Sequence, residues 1–144
     1  MIATFALWSA LLADPVLTVD ESLRACLLVQ HASAASTDNA PAPLLLAIAW
    51  REDRFKTADD HGPMCGSMQV QALQRAGQPW GLTCQELAQP QVGMLAGAAV
   101  LRDKLRASHG DMARALQRYA GCKRGCRWYS DQVLDRARAW GWRG

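Results

Sequence analysis

The amino-acid sequence predicts a single, mainly α-helical domain. Its 144 residues suit one hydrophobic core. Half of the residues are hydrophobic and a fifth are charged, which is the balance of an ordinary globular protein. Apolar residues recur at helical spacing behind helix-capping sequences, and no convincing alternating strand pattern interrupts them. We therefore expect one helical domain over residues 1–144. A short hairpin around residues 57–70 is the alternative to a loop there.

The first fifty residues contain the clearest helix signals. The run from Ile2 to Ala13 is almost wholly apolar, but it is too short to span a bilayer and no Lys or Arg precedes it. We interpret it as part of the folded domain rather than as a signal peptide. A capping box at Thr18 and Glu21 predicts the start of the next helix. Residues 33–43 are small, polar and proline-bearing, which predicts a loop, and residues 44–50 are apolar on every side, which indicates a buried helix.

The rest of the chain predicts a loop followed by several helices. Residues 57–66 are rich in Asp, Gly and Pro, as loops are. Helices are expected at residues 67–76, after a capping box at Thr83 and Glu86, at residues 92–106, from the capping Asp111 through Tyr119, and at residues 128–140.

The charge distribution argues against nucleic acid as a partner. The formal net charge is only +3, and the basic residues are scattered rather than gathered into one strip. The densest group is Lys123, Arg124 and Arg127. It is either a solvated helical face or a surface that attracts an acidic polymer such as a bacterial envelope.

Five cysteines leave at least one thiol unpaired within the chain. Cys122 and Cys126 are close enough in sequence to pair around a tight loop. No second Cys/His pair has the spacing of zinc ligands, so we expect no metal. One or two disulfides and an oxidising compartment are the preferred interpretation.

Glu52 is the first candidate for chemistry. It lies at the predicted C-terminal end of the apolar helix, where the helix dipole and an apolar wall both raise the pKa of a carboxyl group. A glycosidic leaving oxygen needs a proton from an acid that is still protonated near neutrality. The alternative is an exposed glutamate that pairs with Arg51 or Arg54.

Four elements in order give this candidate its context. Residues 44–55 read LLLAIAWREDRF, residues 66–70 read GSMQV, residues 97–101 read GAAVL and residues 119–121 read YAG. In order and spacing the chain resembles the goose-type lysozyme and lytic transglycosylase superfamily. There an apolar helix leads to a catalytic Glu, followed by a GLMQ element, a Gly-x-x-x-Leu helix and a YN(A)G turn. The resemblance covers roughly residues 40–135 and implies a lysozyme-like domain with a substrate groove.

The resemblance also implies roles for individual residues. Glu52 would be the general acid and base, and Tyr119 would place its hydroxyl near the Glu52 carboxylate. The substrate groove would be lined by Gly66, Ser67, Met68, Gln69, Tyr119 and Ala120. The bland alternatives are a packing Met68, a surface Gln69 and a Tyr119 at the edge of the core.

Three positions depart from the pattern of the family. Ser67 replaces the Leu of GLMQ, Ala120 replaces the Asn after the tyrosine, and Asp53 replaces the usual Ser after the catalytic Glu. The first two lie in or near the expected groove, so contacts with substrate are expected to differ there. None of them changes the assignment of Glu52.

The reaction outcome depends on whether a second carboxylate helps Glu52. The resemblance implies a transglycosylase that closes a 1,6-anhydro ring with Glu52 alone. A hydrolase would use a second acid, and Asp60 stands nine residues before Gln69, as in goose-type lysozymes. The alternative for Asp60 is an Asx turn before Gly62. We favour the non-hydrolytic outcome and keep Asp60 as a second catalytic candidate.

The expected substrate is peptidoglycan, cut at the β-1,4 bond between N-acetylmuramic acid and N-acetylglucosamine. No organic cofactor is implied, and we expect a monomer that works in the periplasm or facing the cell wall. A phage lysis system and a bacterial secretion or conjugation apparatus are both compatible settings. The rivals are a non-catalytic glycan-binding module of the same fold and a helical interaction protein whose motif matches are fortuitous.

Overall fold

A computed structural model describes residues 2–58, 60–61, 63–72 and 81–144 of the chain. This part is mainly helical, as predicted. Its helices are α1 (Ile2–Ala13), α2 (Val19–Ala35), α3 (Ala42–Asp53), α4 (Cys84–Leu87), α5 (Pro90–Ala107), α6 (Met112–Tyr119) and α7 (Arg127–Ala139). Its strands are β1 (Asp60–His61), β2 (Met64–Cys65) and β3 (Val70–Gln71), which form an antiparallel sheet in the order β1-β2-β3.

Helix α3 is the centre of the fold. Every residue from position 44 to position 50 is buried, and α3 packs against α2, α5 and α7. A helix that is apolar on all sides needs neighbours on all sides, which explains this position. The helix ends because Arg54 and Phe55 adopt left-handed backbone angles, with φ of 51° and 65°. Phe55 then turns back into the core beside Trp140, with ring centroids 5.9 Å apart, and Glu52 is left in the last turn of α3.

The predicted helix caps are confirmed. Both capping boxes are complete, since the Thr18 and Thr83 side chains accept from the backbone N–H of Glu21 and Glu86, whose carboxylates accept in return. Asp111 accepts a hydrogen bond from the backbone N–H of Arg114 at 3.0 Å. These short-range contacts stabilise helix starts by about 1 kcal/mol each, independently of the rest of the fold.

Two predicted boundaries are wrong. The loop expected at residues 33–43 begins later, because α2 continues through Ala35 before the isolated bridge between Thr37 and Ala40. Residues 67–72 are turns and strand β3 rather than the first part of a helix over residues 67–76. Gln69 has a left-handed φ of 48°, which ends any right-handed helix there. Residues 73–76 lie outside the described part of the chain.

The hairpin that the sequence allowed around residues 57–70 is present, as part of the three-stranded sheet. Met64 pairs with Gln71 and Cys65 pairs with Val70. The predicted Cys122–Cys126 disulfide is present, and a second one joins Cys65 to Cys84 and so ties β2 to α4.

The odd cysteine is Cys26, which remains a free, half-buried thiol. Within the described ranges, none of the helices has the length and apolar character needed to cross a bilayer.

A buried ionic cluster joins the two ends of the chain. Asp14 follows α1, and its side chain is only 3% exposed. Its Oδ1 accepts from the backbone N–H of Val16 at 2.9 Å, and its Oδ2 accepts from Trp140 Nε1 at 2.7 Å. Arg136 Nη1 lies 3.0 and 2.8 Å from the two carboxylate oxygens. The Asp14 charge is therefore buried with a full set of donors.

Close packing of α5 holds the turn that carries Gln69. A Cβ added at Gly97 would lie within 2.6 Å of three side-chain atoms of Met68, which is fully buried. We therefore expect Gly97→Ala to lower the free energy of unfolding by about 1–3 kcal/mol, because Met68 must move. Urea denaturation checks this value, and in a Met68→Ala background the same change should cost much less. An equal cost in both backgrounds would contradict the packing explanation.

Candidate functional site

Glu52 lies where α3 meets the start of α7. The hydroxyl of Tyr129, in the first turn of α7, donates a short hydrogen bond to Glu52 Oε1. Tyr129 is itself buried, so its ring fixes the direction of the bond. Tyr129 thus fixes the position of Glu52 Oε1 and makes no such hydrogen bond with Oε2.

The environment raises the pKa of Glu52. Burial is the largest cause, because it disfavours the charged carboxylate, and the neighbouring charge of Asp53 adds to it. The Tyr129 hydrogen bond and the positive charge of Arg51 act in the opposite direction and lower the pKa, without cancelling the effect of burial. The expected direction of the shift at Glu52 is therefore confirmed, and burial rather than pairing dominates it.

Two tyrosines keep their protons beside this carboxyl. Burial and the nearby charge of Glu52 raise the pKa of Tyr129 and of Tyr119 well above the usual range. Tyr119 donates its hydroxyl to the backbone carbonyl of Met68 at 2.7 Å. Its hydroxyl is thus occupied in holding the turn, while Tyr129 contacts Glu52 directly.

The turn over residues 66–69 is mostly buried. Ser67 is 1% exposed, Met68 is fully buried and Gln69 is 5% exposed. Gly66 has a φ of 78°, and a side chain there would clash with the carbonyl oxygen of Leu87. Gln69 Nε2 donates to the Gly66 carbonyl at 2.9 Å. Among the residues of this turn, the structure places Gln69 in the wall of the cleft beside Glu52 and packs Gly66, Ser67 and Met68 behind it.

Two clefts meet at Glu52. The first, here called the Gln69 cleft, has a volume of about 380 Å³ and is lined by Glu52, Met64, Gln69, Tyr119, Ala120 and Gly121. The second, here called the Trp128 cleft, has a volume of about 470 Å³ and is lined by Arg51, Glu52, Ala120, Gly121, Cys122, Cys126, Trp128 and Tyr129. Glu52 and the Ala120–Gly121 turn belong to both. A chain-like ligand that filled both clefts would therefore pass over the Glu52 carboxyl.

The alternative of a simple surface ion pair at Glu52 does not fit the geometry. Arg54 lies 4.5 Å from the ring centre of Trp50 and 3.8 Å from Glu21. Arg51 stacks over Trp128 at 4.8 Å. Arg51 is near enough to lower the pKa of Glu52, but the hydrogen bond that holds the carboxyl group comes from Tyr129.

The role of Asp60 as a second acid remains a prediction. The backbone of Asp60 forms part of β1 and pairs with Cys65, but the position of its side chain lies outside what the structure describes. Of the described residues, no three His, Cys, Asp or Glu side chains cluster in a way that could hold a metal ion.

Tyr129, Trp128 and Arg51 also belong to the site, and the sequence alone did not predict this. The available signal was the pair of adjacent aromatics directly after the break at residues 121–127. This pair does not reveal which ring faces Glu52, because that depends on how α7 is rotated against α3. The packing of the two helices decides it.

For the glycan cleavage that the sequence resemblance implies, Tyr129→Phe is expected to move the alkaline limb of the pH–rate profile to higher pH. The hydrogen bond from Tyr129 lowers the pKa of Glu52, so its loss raises that pKa further. The rate at the optimum should also fall by about 10-fold to 100-fold, because Glu52 loses its orientation. Tyr119→Phe is the matched comparison, since it leaves the Tyr129–Glu52 bond in place. A limb that shifts equally in both variants would argue against this role of Tyr129.

Comparison of the chain with protein-family models, with curated proteins and with solved structures found no match. The resemblance to a peptidoglycan-cleaving superfamily therefore rests on the four ordered sequence elements. The geometry brings Glu52, Gln69, Tyr119 and Ala120 from these elements to one pair of joined clefts.

Proposed function

We propose that the protein cleaves the glycan strands of peptidoglycan, with Glu52 as the general acid and base. One observation carries the proposal. Glu52 is a carboxyl group of raised pKa at the junction of two clefts, with one oxygen fixed by Tyr129. A raised pKa keeps a proton on the carboxyl at higher pH, and a glycosidic leaving oxygen needs that proton.

The joined clefts suit a polymer better than a small ligand. Both are open at the surface and share the Ala120–Gly121 turn, so sugars on either side of a scissile bond have room next to Glu52. Gln69 contributes its amide to the wall of the first cleft. An amide that carries both donors and an acceptor is suited to sugar hydroxyl and acetamido groups.

We propose the non-hydrolytic reaction. The Glu52 proton moves to the leaving oxygen as the β-1,4 bond breaks. The Glu52 carboxylate then takes the proton of the sugar's 6-hydroxyl, whose oxygen bonds to the anomeric carbon and closes the 1,6-anhydro ring. This route needs one carboxyl group at the scissile bond, and Glu52 lies where the two clefts meet. Hydrolysis with Asp60 is the alternative.

The products distinguish these reactions. Purified peptidoglycan is incubated with the protein at several pH values, and the released fragments are weighed. Anhydromuramyl ends support the proposal, while reducing ends, heavier by one water, mean that the protein is a hydrolase. If nothing is released although the protein sediments with the polymer, the chain is a glycan-binding module rather than an enzyme.

We further propose that the protein acts outside the reducing cytoplasm, in the periplasm or at the cell wall. Its two disulfides are compatible with an oxidising compartment. The proposed partner is the peptidoglycan strand itself, which a monomer can bind. Phage lysis and local opening of the wall for a secretion or conjugation apparatus both remain settings for this activity.

A further inference from the structure

The Trp128 cleft has a stacked aromatic and cationic wall. The guanidinium of Arg51 lies 4.8 Å from the centre of the Trp128 ring and 5.8 Å from that of Tyr129. The Trp128 and Tyr129 rings meet edge to face with centroids 6.1 Å apart. This stack holds the Trp128 indole in place, yet half of the residue remains exposed at the cleft. A fixed and exposed indole is a ready surface for the apolar face of a sugar ring.

Arg51 has hydrogen-bonding capacity to spare. Its Nε is buried, and no acceptor lies within hydrogen-bonding distance of it among the residues that the structure describes. A guanidinium presents several donors in a planar fork that matches a carboxylate. The Nε is closed off from solvent, so a ligand carboxylate would meet the terminal amino groups of this guanidinium, which lines the Trp128 cleft.

A basic loop borders the same cleft. The Cys122–Cys126 disulfide lines the cleft and closes a short loop. Lys123 and Arg124 lie within this loop, Arg127 follows it, and all three are exposed. This is the densest basic group of the chain, and it adjoins Cys122, Cys126 and Trp128, which line the Trp128 cleft.

We infer that the Trp128 cleft binds a peptidoglycan sugar on the Trp128 face and an acidic stem-peptide carboxylate through Arg51 and the basic loop. The inference rests on the proposed function, since it names what the second cleft recognises in that substrate. Trp128 supplies affinity for the sugar ring. Arg51, Lys123 and Arg124 select strands whose peptides carry free carboxylates over neutral glycan.

Binding is measured in a Glu52→Gln background, which slows cleavage of the probe and removes the negative charge next to Arg51. The two probes are a neutral N-acetylglucosamine tetramer and a muropeptide tetrasaccharide whose stem peptides carry carboxylates. Affinities are obtained by calorimetry. Trp128→Ala is compared with Trp8→Ala, which alters another partly exposed tryptophan, on α1 and not among the residues that line either cleft. Arg51→Gln is compared with Arg106→Gln, at an exposed arginine of α5.

Trp128→Ala is expected to weaken both probes by about 10-fold, and Trp8→Ala to change neither. Arg51→Gln is expected to weaken binding of the acidic probe by about 10-fold, and binding of the neutral probe by only about 2-fold to 3-fold, because the stack on Trp128 is also loosened. The double substitution Lys123→Gln/Arg124→Gln should weaken binding of the acidic probe by less than Arg51→Gln does. This loss of affinity should disappear at high salt, because exposed charges are screened. Trp128→Phe keeps a ring and should retain part of the affinity, which separates loss of stacking from loss of fold.

Three results would overturn the inference. The first is a Trp128→Ala variant that binds both probes as tightly as Trp8→Ala does. The second is an Arg51→Gln variant whose affinity falls equally for the two probes. The third is displacement of the acidic probe by polyglutamate, which has no sugar, at the same carboxylate concentration. The proposed function fails separately. A wild-type protein that shows the predicted binding pattern but releases no fragments refutes the cleavage, and active cleavage with an unaffected Trp128→Ala refutes the role of the cleft.

Discussion

Replacing Glu52 with glutamine is expected to lower the initial rate of peptidoglycan cleavage by about 10²-fold to 10⁴-fold. Glutamine keeps the size of the side chain and an oxygen that accepts the Tyr129 hydrogen bond, so the clefts should keep their shape. What disappears is the proton that the leaving oxygen needs. Release of soluble fragments from labelled peptidoglycan measures the rate. Glu86→Gln, in the exposed capping box of α4, is the control that makes the same chemical change elsewhere.

The same substitution is expected to stabilise the protein at neutral pH. Burial raises the pKa of Glu52 in the folded state, so folding favours the protonated form and stability is lost as the pH rises through the folded-state pKa. Glutamine carries no charge to bury. The melting temperature of Glu52→Gln should therefore exceed that of the wild type at pH 7, and the difference should vanish below the ordinary glutamic acid pKa of about 4.3. A variant less stable at pH 7 would contradict the burial explanation.

Asp14→Ala is expected to lower the free energy of unfolding by about 3–5 kcal/mol. The aspartate is buried, and it accepts from Val16, Arg136 and Trp140. Its removal leaves the partly buried guanidinium of Arg136 and the buried indole N–H of Trp140 without their acceptor, and both losses are costly. Because Asp14 follows α1 and its two side-chain donors lie at the end of α7, the loss should affect the whole fold. Urea denaturation measures it.

Asp135→Ala is the matched control for this effect. Asp135 belongs to α7 and forms an ion pair with Arg138 at 3.7 Å, but its side chain is 68% exposed. An exposed pair contributes at most about 1 kcal/mol, so this variant should resemble the wild type. Similar losses in the two variants would mean that the cluster around Asp14 contributes no more than a surface pair.

The helical part of the fold was predictable because its signals are local. The capping boxes at Thr18 and Thr83 need only a few neighbouring residues. The run of residues 44–50 is apolar on every side, which by itself predicts a buried helix. The segment after residue 57 was harder to predict. Strand β3 depends on pairing between Cys65 and Val70 and on the left-handed Gln69, and neither is a property of a short stretch of sequence.

The candidate site divides in the same way. The order of motifs pointed to Glu52, Gln69 and Tyr119, and the structure brings these three residues to one cleft. Tyr129 and Trp128 were missed because their role arises from the packing of α7 against α3. The Cys65–Cys84 disulfide was not predicted because pairing between distant cysteines depends on how β2 and α4 are placed.

The central claim is that folding places Glu52 where burial raises its pKa above that of an ordinary glutamic acid. An NMR titration of the side-chain carboxyl carbons tests it most directly, since the chain has only three glutamates and Glu52→Gln assigns the signal. We expect the Glu52 resonance to titrate with a pKa above the ordinary value of about 4.3, and higher still in Tyr129→Phe. A Glu52 carboxyl that titrates at or below the ordinary value in the wild type would contradict the account.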